Sequence, residues 1–312
     1  MGQAARRLDG RIVLITGAGG GLGRSYARYI AALGAHVVVN DLGVAMDGTG
    51  RSPLPAKQAV AEIFAAGGSA GADASDVTSP EEAEALVARV IAEHGRIDAL
   101  INNAGNFLPP KPFTETTLDE FEHVWRSHCG GSYNLCRAVL PHMQAADTGR
   151  IVNTCSTQGL YGAAPSAAYA SAKAAVQGLT LSVAARLRGT GVAANCLSPG
   201  AFTRMVDATE RPPEYTEALR RNLSPDLVAP VAAWLCHPDC RDNGAIVQAF
   251  AGWISYARIG DLDGFWDFAP SIDSVAEGLA ALPADGPITG AADTASHAAA
   301  IIARAETRRP RI

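Results

Sequence analysis

Lysine is scarce in this chain. Lys57, Lys111 and Lys173 are the only three, although lysine and arginine together number 26. No block of basic residues occurs and the formal net charge is −5, which argues against a general attraction to nucleic acid or to anionic membranes. Because arginine supplies nearly all of the generic positive charge, a lysine in a helix that also carries a tyrosine is a candidate for chemistry.

Long apolar runs and paired metal ligands are also missing. No run reaches the length of a membrane span, and the arginine-bearing first eleven residues precede no apolar stretch of a signal peptide. The six cysteines are scattered through apolar segments, which predicts buried thiols in a reducing compartment. Cys236 and Cys240 lack a second ligand pair, so we expect no metal site. The expected protein is cytoplasmic and contacts neither membrane nor nucleic acid.

Short apolar, β-branched runs alternate with helical segments from residue 11 to about residue 250. The predicted strands are 11–16, 35–40, 69–73, 97–102, 150–155, 192–197 and 245–250. The predicted helices are 22–33, 56–66, 79–94, 117–145, 167–187 and 226–237. This alternation predicts an α/β fold with a doubly wound parallel sheet and helices on both faces, in one domain over 1–252. We expect 253–312 to form a C-terminal extension packed on the core or on a partner subunit.

A glycine-rich turn joins the first strand to the first helix. Glycines there let the backbone approach a pyrophosphate, and the helix N-terminus offers free N–H groups to the anion. The predicted contacts are Gly17, Gly19, Gly21, Leu22 and Gly23. A glycine turn in this position indicates a Rossmann-type fold that binds a dinucleotide.

Polar and small residues end the next three strands. A carboxylate at Asp41 can accept hydrogen bonds from the adenosine ribose and would repel a 2′-phosphate, which predicts NAD in preference to NADP; a turn cap is the alternative. The other residues predicted to line the cofactor are Asp76, Val77, Asn103, Ala104 and Gly105. All lie at carboxyl ends of strands, where doubly wound sheets bind ligands.

A tyrosine and a lysine lie four residues apart in the predicted helix 167–187. This spacing puts Tyr169 and Lys173 on one helix face, where the ammonium is expected to lower the pKa of the phenol. Tyr169 can then exchange a proton with a substrate hydroxyl or ketone. Ser156 ends the strand 150–155 and is placed to hold the substrate oxygen.

These motifs together resemble the short-chain dehydrogenase/reductase family over about residues 8–250. The resemblance implies that Tyr169 is the general acid/base, that Ser156 orients the substrate and that Lys173 binds the nicotinamide ribose. It also implies that Pro199, Gly200 and Thr203 lie against the nicotinamide, and that the protein is a homodimer or homotetramer.

One position departs from the family pattern. Most members have an asparagine in the fourth helix that anchors a water near the lysine, and His128 stands there in this chain. His128 is either a core histidine, a residue that keeps the helix backbone open for the same water, or a proton relay.

A narrower resemblance shares this histidine. The segments 38–43, 159–162, 228–237 and 251–253 are similar to the (3R)-hydroxyacyl-CoA dehydrogenase unit of multifunctional enzyme type 2, a group that includes 17β-hydroxysteroid dehydrogenase type 4 activity and free-standing bacterial relatives.

The predicted function is therefore an NAD-dependent oxidoreductase that interconverts a secondary alcohol and a ketone on a small molecule. The first candidate substrate is a 3-hydroxyacyl thioester; a polyketide-like, steroid or cyclic natural product is the alternative. A non-catalytic NAD-binding regulator is the alternative of a different class. Gln158, Phe202 and Met205 are the candidate substrate residues.

Overall fold

The computed structural model describes residues 6–45, 49–106, 108–207, 211–283 and 285–308. Its contacts divide the chain into two compact units, Met1–Tyr256 and Ala257–Ile312. The first unit is built on a sheet whose strand order is β3-β2-β1-β4-β5-β6-β7-β8. The strands are β1 (Ile12–Thr16), β2 (His36–Asn40), β3 (Ser69–Asp73), β4 (Ala99–Asn102), β5 (Gly149–Thr154), β6 (Val192–Gly200), β7 (Ile246–Phe250) and β8 (Trp253–Ala257).

The first seven strands pair in parallel, which confirms the predicted fold class. Strands β1, β4 and β5 are buried along their whole length, so their side chains alternate between two cores. Val13 and Ile15 of β1 pack into one core, whereas Ile12 and Leu14 pack into the other. Helices must cover both faces of such a sheet.

The described helices cover both faces as expected. Their bounds are α1 (Gly21–Ala32), α2 (Leu54–Ala65), α3 (Pro80–His94), α4 (Leu118–Trp125), α5 (Gly131–Ala145), α6 (Thr157–Tyr161), α7 (Ala167–Arg186), α8 (Arg204–Asp207), α9 (Pro213–Asn222), α10 (Ala229–Cys236), α11 (Ile272–Ala281) and α12 (Thr294–Arg308). Helices α1, α2 and α10 contribute buried side chains to one core, and α3, α5 and α7 contribute to the other.

The structure differs from the sequence prediction in several elements, among them helix α6, which was not predicted. A π-helical segment, Arg126–Gly130, interrupts the helix expected over 117–145. Two helices, α8 and α9, lie in the segment 201–224, for which no helix was predicted. Strand β6 continues three residues further than expected, to Gly200. Strand β8 follows a two-residue connection in which Ala251 and Gly252 both have positive φ, a conformation typical of tight hairpins.

The strand order places one crevice at the carboxyl edge of the sheet. The chain passes from β1 to β2 on one side of β1 and later adds β4 on the opposite side of β1. The loops that follow β1 and β4 therefore run in opposite directions and leave a gap between them. Ligands bind at this kind of switch point in open α/β sheets. Many of the predicted site residues lie at or just after the carboxyl ends of β1 to β6, so the topology brings them to this crevice.

The second unit is small and exposed. Its helix α11 begins with a capping box made by Ser271 and Ser274. The guanidinium groups of Arg304 and Arg308 lie 6.0 and 5.5 Å from the centre of the Trp266 ring. None of its described side chains is buried. Across the described residues of both units, no helix combines the length and the apolar character that a membrane span requires.

Candidate active site

A cavity of about 550 Å³ opens at the carboxyl edge of the sheet, within the size range of small-molecule sites. Most of the residues predicted from the sequence line it. They are Gly17, Gly21, Leu22, Asp41, Asp76, Val77, Asn103, Ala104, Gly105, His128, Ser156, Gln158, Tyr169, Lys173, Pro199, Gly200, Thr203 and Met205.

The glycine turn forms one end of this cavity. Gly17 and Gly21 have φ of +61° and +50°, which side chains rarely adopt. A Cβ at Gly23 would lie 2.3 Å from the Gly17 carbonyl oxygen, and one at Gly19 would lie 2.6 Å from Cβ of Pro55. Gly19 and Gly23 do not line the cavity. Their contribution is therefore to let the turn close, and Gly17 and Gly21 contribute backbone to the cavity wall.

The N-terminus of α1 fits a phosphate group. Gly20 is the N-cap residue and provides no side-chain acceptor, and the first turn carries no acidic residue. A Cβ at Gly20 would meet no atom within 4 Å, so space lies in front of the turn. Uncapped amides and the positive end of the helix dipole favour an anion there. The pyrophosphate of a dinucleotide matches this cradle.

Asp41 is held by the backbone at both carboxylate oxygens. Oδ2 accepts a hydrogen bond from the Gly19 N–H and Oδ1 accepts one from the Gly43 N–H, each at 2.8 Å. The carboxylate therefore caps a turn, as the alternative interpretation expected, and also lines the cavity. These two contacts fix the direction in which the carboxylate of Asp41 faces the cavity.

The end of β4 is fastened to the glycine turn. Asn103 donates side-chain hydrogen bonds to the carbonyl oxygens of Thr16 and Gly17, at 3.0 and 3.2 Å. Thr16 Oγ1 in turn accepts from the backbone N–H groups of Asn103 and Ala104. The side chain of Asn103 thus holds the glycine turn in place. The sequence motif did not predict this role.

Asp76 lines the cavity, and its side chain also stabilises the turn in which it lies. Its Oδ1 accepts hydrogen bonds from the backbone N–H and the hydroxyl of Thr78, at 2.8 and 2.7 Å. Val77 lies beside it on the cavity wall and is buried. Asp76 and Val77 therefore form part of the cavity wall after β3.

Three side chains meet at the other end of the cavity. Tyr169 and Lys173 lie on one face of α7, with the lysine Nζ 5.7 Å from the centre of the phenol ring. Lys173 is 3 % exposed and donates to the Thr154 carbonyl oxygen at 2.7 Å, which fixes the ammonium beneath the site. Ser156 is the N-cap of α6 and is hydrogen-bonded to Tyr169.

The protonation behaviour of this group differs from the expectation. We expected Lys173 to lower the pKa of Tyr169. Burial instead raises the pKa of Tyr169 to about 12, and the hydrogen bond with Ser156 opposes this only in part. Burial also lowers the pKa of Lys173 to about 8, because an ammonium is poorly solvated in the protein interior. The protein environment therefore favours the neutral form of both groups.

His128 lies in the π-helical segment and its ring packs edge-on against Tyr169, with 5.1 Å between ring centres. Its Nε2 lies 2.9 Å from the Asn106 carbonyl oxygen, which can only accept, so Nε2 carries the hydrogen. Nδ1 then presents a lone pair, buried and without a partner among the described residues. Burial, with the charge of Lys173, holds the pKa of His128 well below its usual range. The imidazole ring of His128 is therefore neutral. It is buried in the core and also lines the cavity.

Phe202 and Asn106 also depart from the sequence prediction. Phe202 was expected to contact substrate, but it does not line the cavity; its ring packs 5.1 Å from the Arg220 guanidinium. Asn106 was not predicted, yet it lines the cavity one residue beyond the Asn-Ala-Gly motif. Its position directly after that motif was the signal that could have identified it.

Comparison with known proteins agrees with this geometry. The family model described as short chain dehydrogenase matches residues 11–214. The chain is 40% identical over 252 residues to the peroxisomal multifunctional enzyme type 2 of Mus musculus, covering 81% of this chain and 33% of that protein. It is 35% identical over 253 residues to a hydroxyacyl-CoA dehydrogenase of Mycobacterium tuberculosis, covering 77% of each. The chain thus spans about a third of the mouse enzyme that it matches.

A solved structure of a short chain dehydrogenase from Mycobacterium avium is similar over almost its whole length. The TM-score is 0.73 and the identity 36%, covering 91% of this chain and 99% of that one. The chain therefore belongs to the short-chain dehydrogenase family.

Proposed function

We propose that this protein is an NAD-dependent dehydrogenase that interconverts a secondary alcohol and a ketone, with a 3-hydroxyacyl thioester as its substrate. The observation that carries the proposal is the meeting of Ser156, Tyr169 and Lys173 in the same cavity as the glycine turn. The thioester is supported by the similarity to a hydroxyacyl-CoA dehydrogenase and to multifunctional enzyme type 2.

The cofactor half of the cavity fits a dinucleotide. Gly17, Gly21 and the first turn of α1 would hold the pyrophosphate, and Asp41 would accept hydrogen bonds from the adenosine ribose. Pro199 and Thr203 would hold the nicotinamide end. When bound, NAD supplies a hydride acceptor at C4 of its nicotinamide ring. The carboxylate of Asp41 supports NAD over NADP, because it would repel a 2′-phosphate.

The chemistry of the chain's own residues is a proton transfer. During oxidation the Ser156 hydroxyl donates a hydrogen bond to the substrate oxygen, and Tyr169, in its phenolate form, accepts the hydroxyl proton at Oη and becomes the neutral phenol. During reduction the same oxygen of Tyr169 returns the proton. The ammonium of Lys173, held by the Thr154 carbonyl, stabilises the phenolate that forms. His128, neutral in its Nε2–H form, offers its Nδ1 lone pair beside this centre as a relay for the proton.

Steady-state kinetics with both cofactors test this proposal. We expect the protein to oxidise 3-hydroxybutyryl-CoA with a kcat/KM for NAD at least about tenfold above that for NADP. A tenfold ratio corresponds to about 1.4 kcal/mol of repulsion between Asp41 and the 2′-phosphate of NADP. Asp41→Asn should narrow that ratio, because the amide no longer repels a phosphate. Asp119→Asn, on the exposed surface of α4, is the matched control and should leave the ratio unchanged.

Two outcomes would contradict the proposal. Equal use of NAD and NADP by the wild type would show that Asp41 does not discriminate. Tight binding of NAD without turnover of any alcohol or ketone in a broad panel would support the non-catalytic regulator instead.

We also propose a homodimer or homotetramer in the cytoplasm, with 253–312 packed on the core or on a partner subunit. Exposed apolar side chains support a covered surface: Trp253 is 58% exposed, and Ile272 and Leu279 are 86% and 60% exposed. Light scattering of the full chain measures the oligomeric state, and a monomer at micromolar concentration would contradict this part.

A further inference from the structure

Cys155 places a thiol on the wall of the active-site cavity. It lies between the last residue of β5 and Ser156, and it is one of the residues that line the cavity. The residue is only 1% exposed, so a small molecule reaches its sulfur from the cavity. The other five cysteines are also buried thiols, and none of them lines this cavity. The proton transfer described above does not use Cys155.

A second thiol lies beside it on the neighbouring strand. The backbone N–H of Cys155 donates to the Leu197 carbonyl oxygen at 2.9 Å, which continues the pairing of β5 with β6. In that parallel register Cys196 is the partner of Asn153. Because side chains alternate along a strand, Cys155 points to the same face of the sheet as Asn153 and Cys196. The thiols of Cys155 and Cys196 are hydrogen-bonded to each other.

The surroundings of Cys155 favour its thiolate. The hydrogen bond with Cys196 lowers the pKa of Cys155 against the opposing effect of burial, and the nearby charge of Lys173 lowers it further. The thiolate is the form of cysteine that attacks oxidants. Cysteines that sense oxidants combine a lowered pKa, access for the oxidant and a second thiol that resolves the oxidised sulfur. Cys155 combines these features, with the cavity providing the access.

We propose that Cys155 and Cys196 form a dithiol that hydrogen peroxide oxidises to a disulfide, and that this disulfide switches the active site off. The proposal adds regulation to the proposed dehydrogenase and rests on that function. No metal or further cofactor is needed for the oxidation. Because strained disulfides are easily reduced, a thiol reductant reverses it.

The oxidation takes place in two steps. The Cys155 thiolate attacks one oxygen of hydrogen peroxide, so that an S–O bond forms, the O–O bond breaks and hydroxide leaves. The Cys196 sulfur then attacks the sulfenic sulfur of Cys155, so that the S–S bond forms, the S–O bond breaks and a second hydroxide leaves. Each hydroxide takes up the proton of one thiol. Two thiols therefore lose two electrons, and one peroxide is reduced to two waters.

The disulfide should displace Ser156. Neighbouring strands are about 4.8 Å apart and rise about 3.3 Å per residue, so Cα atoms offset by two positions lie about 8 Å apart. A disulfide usually joins Cα atoms at most about 6.8 Å apart. Cys155 follows the end of β5, whereas Cys196 lies inside β6, so Cys155 should move toward Cys196 by about 1 Å. Ser156 is the next residue and should move with it.

Peroxide treatment of the full chain, with and without NAD, tests the switch. After treatment the remaining thiols are blocked and the cross-linked peptides are identified by mass spectrometry. We expect a disulfide between Cys155 and Cys196 and the loss of two hydrogen atoms from the mass of the chain. The kcat/KM for 3-hydroxybutyryl-CoA should fall by about 100-fold in the cross-linked protein, because a displacement of about 1 Å has that effect. Dithiothreitol should restore it, and bound NAD should slow the cross-linking by covering Cys155.

Three variants separate this switch from general oxidation, each compared with its own untreated sample. Cys155→Ala should keep its kcat/KM within about twofold on treatment, because the thiol that reacts first is missing. Cys196→Ala should form no cross-link, and its loss of activity should resist dithiothreitol, because an unresolved Cys155 proceeds to sulfinic acid. Cys136→Ala is the matched control. Cys136 is also buried, at 2% exposure, but it does not line the cavity, so this variant should respond as the wild type does.

The outcomes distinguish the switch from the function on which it rests. A wild type without a disulfide between Cys155 and Cys196, or one with this disulfide and an unchanged kcat/KM, would overturn the switch and leave the dehydrogenase intact. The same reversible loss in Cys155→Ala, or its absence in Cys136→Ala, would also overturn it. An untreated wild type without turnover contradicts the proposed function, and the mass measurement still tests the disulfide. If circular dichroism shows that Cys196→Ala does not fold, Cys196→Ser takes its place.

Discussion

Replacing Lys173 by methionine should make the protein's stability depend differently on pH. Lys173 is 3% exposed, and burial lowers its pKa from 10.5 to about 8. Below about pH 8 the ammonium is charged in both the folded and the unfolded chain, so the folded state bears the full cost of burying it. Between about pH 8 and 10.5 only the unfolded chain keeps the proton, so stability rises with pH and the cost disappears.

The size of the effect follows from the shift. A lowering of about 2.5 pKa units corresponds to about 3 kcal/mol, at about 1.4 kcal/mol per unit. The free energy of unfolding of the wild type relative to Lys173→Met should therefore increase by about 3 kcal/mol between about pH 7 and 10.5. Urea unfolding of both proteins at equal concentration measures it, and taking the difference cancels groups that both share. A difference that stays constant with pH would refute the argument that Lys173 is buried as a costly charge.

Two further perturbations address neighbouring features. Gly105→Ala would place a Cβ 2.1 Å from Cε1 of His128, so we expect the free energy of unfolding to fall by about 1–3 kcal/mol and kcat to fall. Adding His128→Ala to Gly105→Ala should restore the free energy of unfolding. An unchanged free energy of unfolding in Gly105→Ala would contradict the contact. Burial, and then the neighbouring His94, lower the pKa of His36 below 6.5. As the pH drops below 6.5, the unfolded chain therefore binds a proton at His36 at a higher pH than the folded chain does. The free energy of unfolding should fall over that range. The Tm of His36→Phe should therefore fall less with decreasing pH than the Tm of the wild type. If both proteins show the same dependence of Tm on pH, the pair His36 and His94 does not contribute to the acid sensitivity.

Much of the fold was predictable because its signals are local. The run Ile12–Thr16 is mostly apolar and β-branched, as a strand buried on both faces requires, and the glycine turn follows it directly. The i, i+4 spacing of Tyr169 and Lys173 could likewise be placed on one helix face from sequence alone. The strand order confirmed that the residues ending β1, β2, β4, β5 and β6 share one edge.

The features that were not predicted depend on contacts distant in sequence. The direction of the pKa change at Tyr169 depends on how much water the fold removes from the phenol, which spacing does not reveal. Phe202 was expected to contact substrate from the loop 201–224, but its ring packs against the guanidinium of an arginine eighteen positions later. Asn106 follows a turn motif and is indistinguishable from turn chemistry until its burial and its unpaired amide are known.

The central claim is that Tyr169 transfers the proton, and one substitution tests it most directly. Tyr169→Phe keeps the ring that packs on His128 and removes only the hydroxyl. Oxidation of 3-hydroxybutyryl-CoA with NAD, followed by NADH absorbance, should fall in kcat by about 10²–10⁴, the usual contribution of a general acid/base. The affinity for NAD, measured by titration, should stay within about twofold of the wild type if the ring alone shapes the site. Turnover by Tyr169→Phe at the wild-type rate would contradict the account.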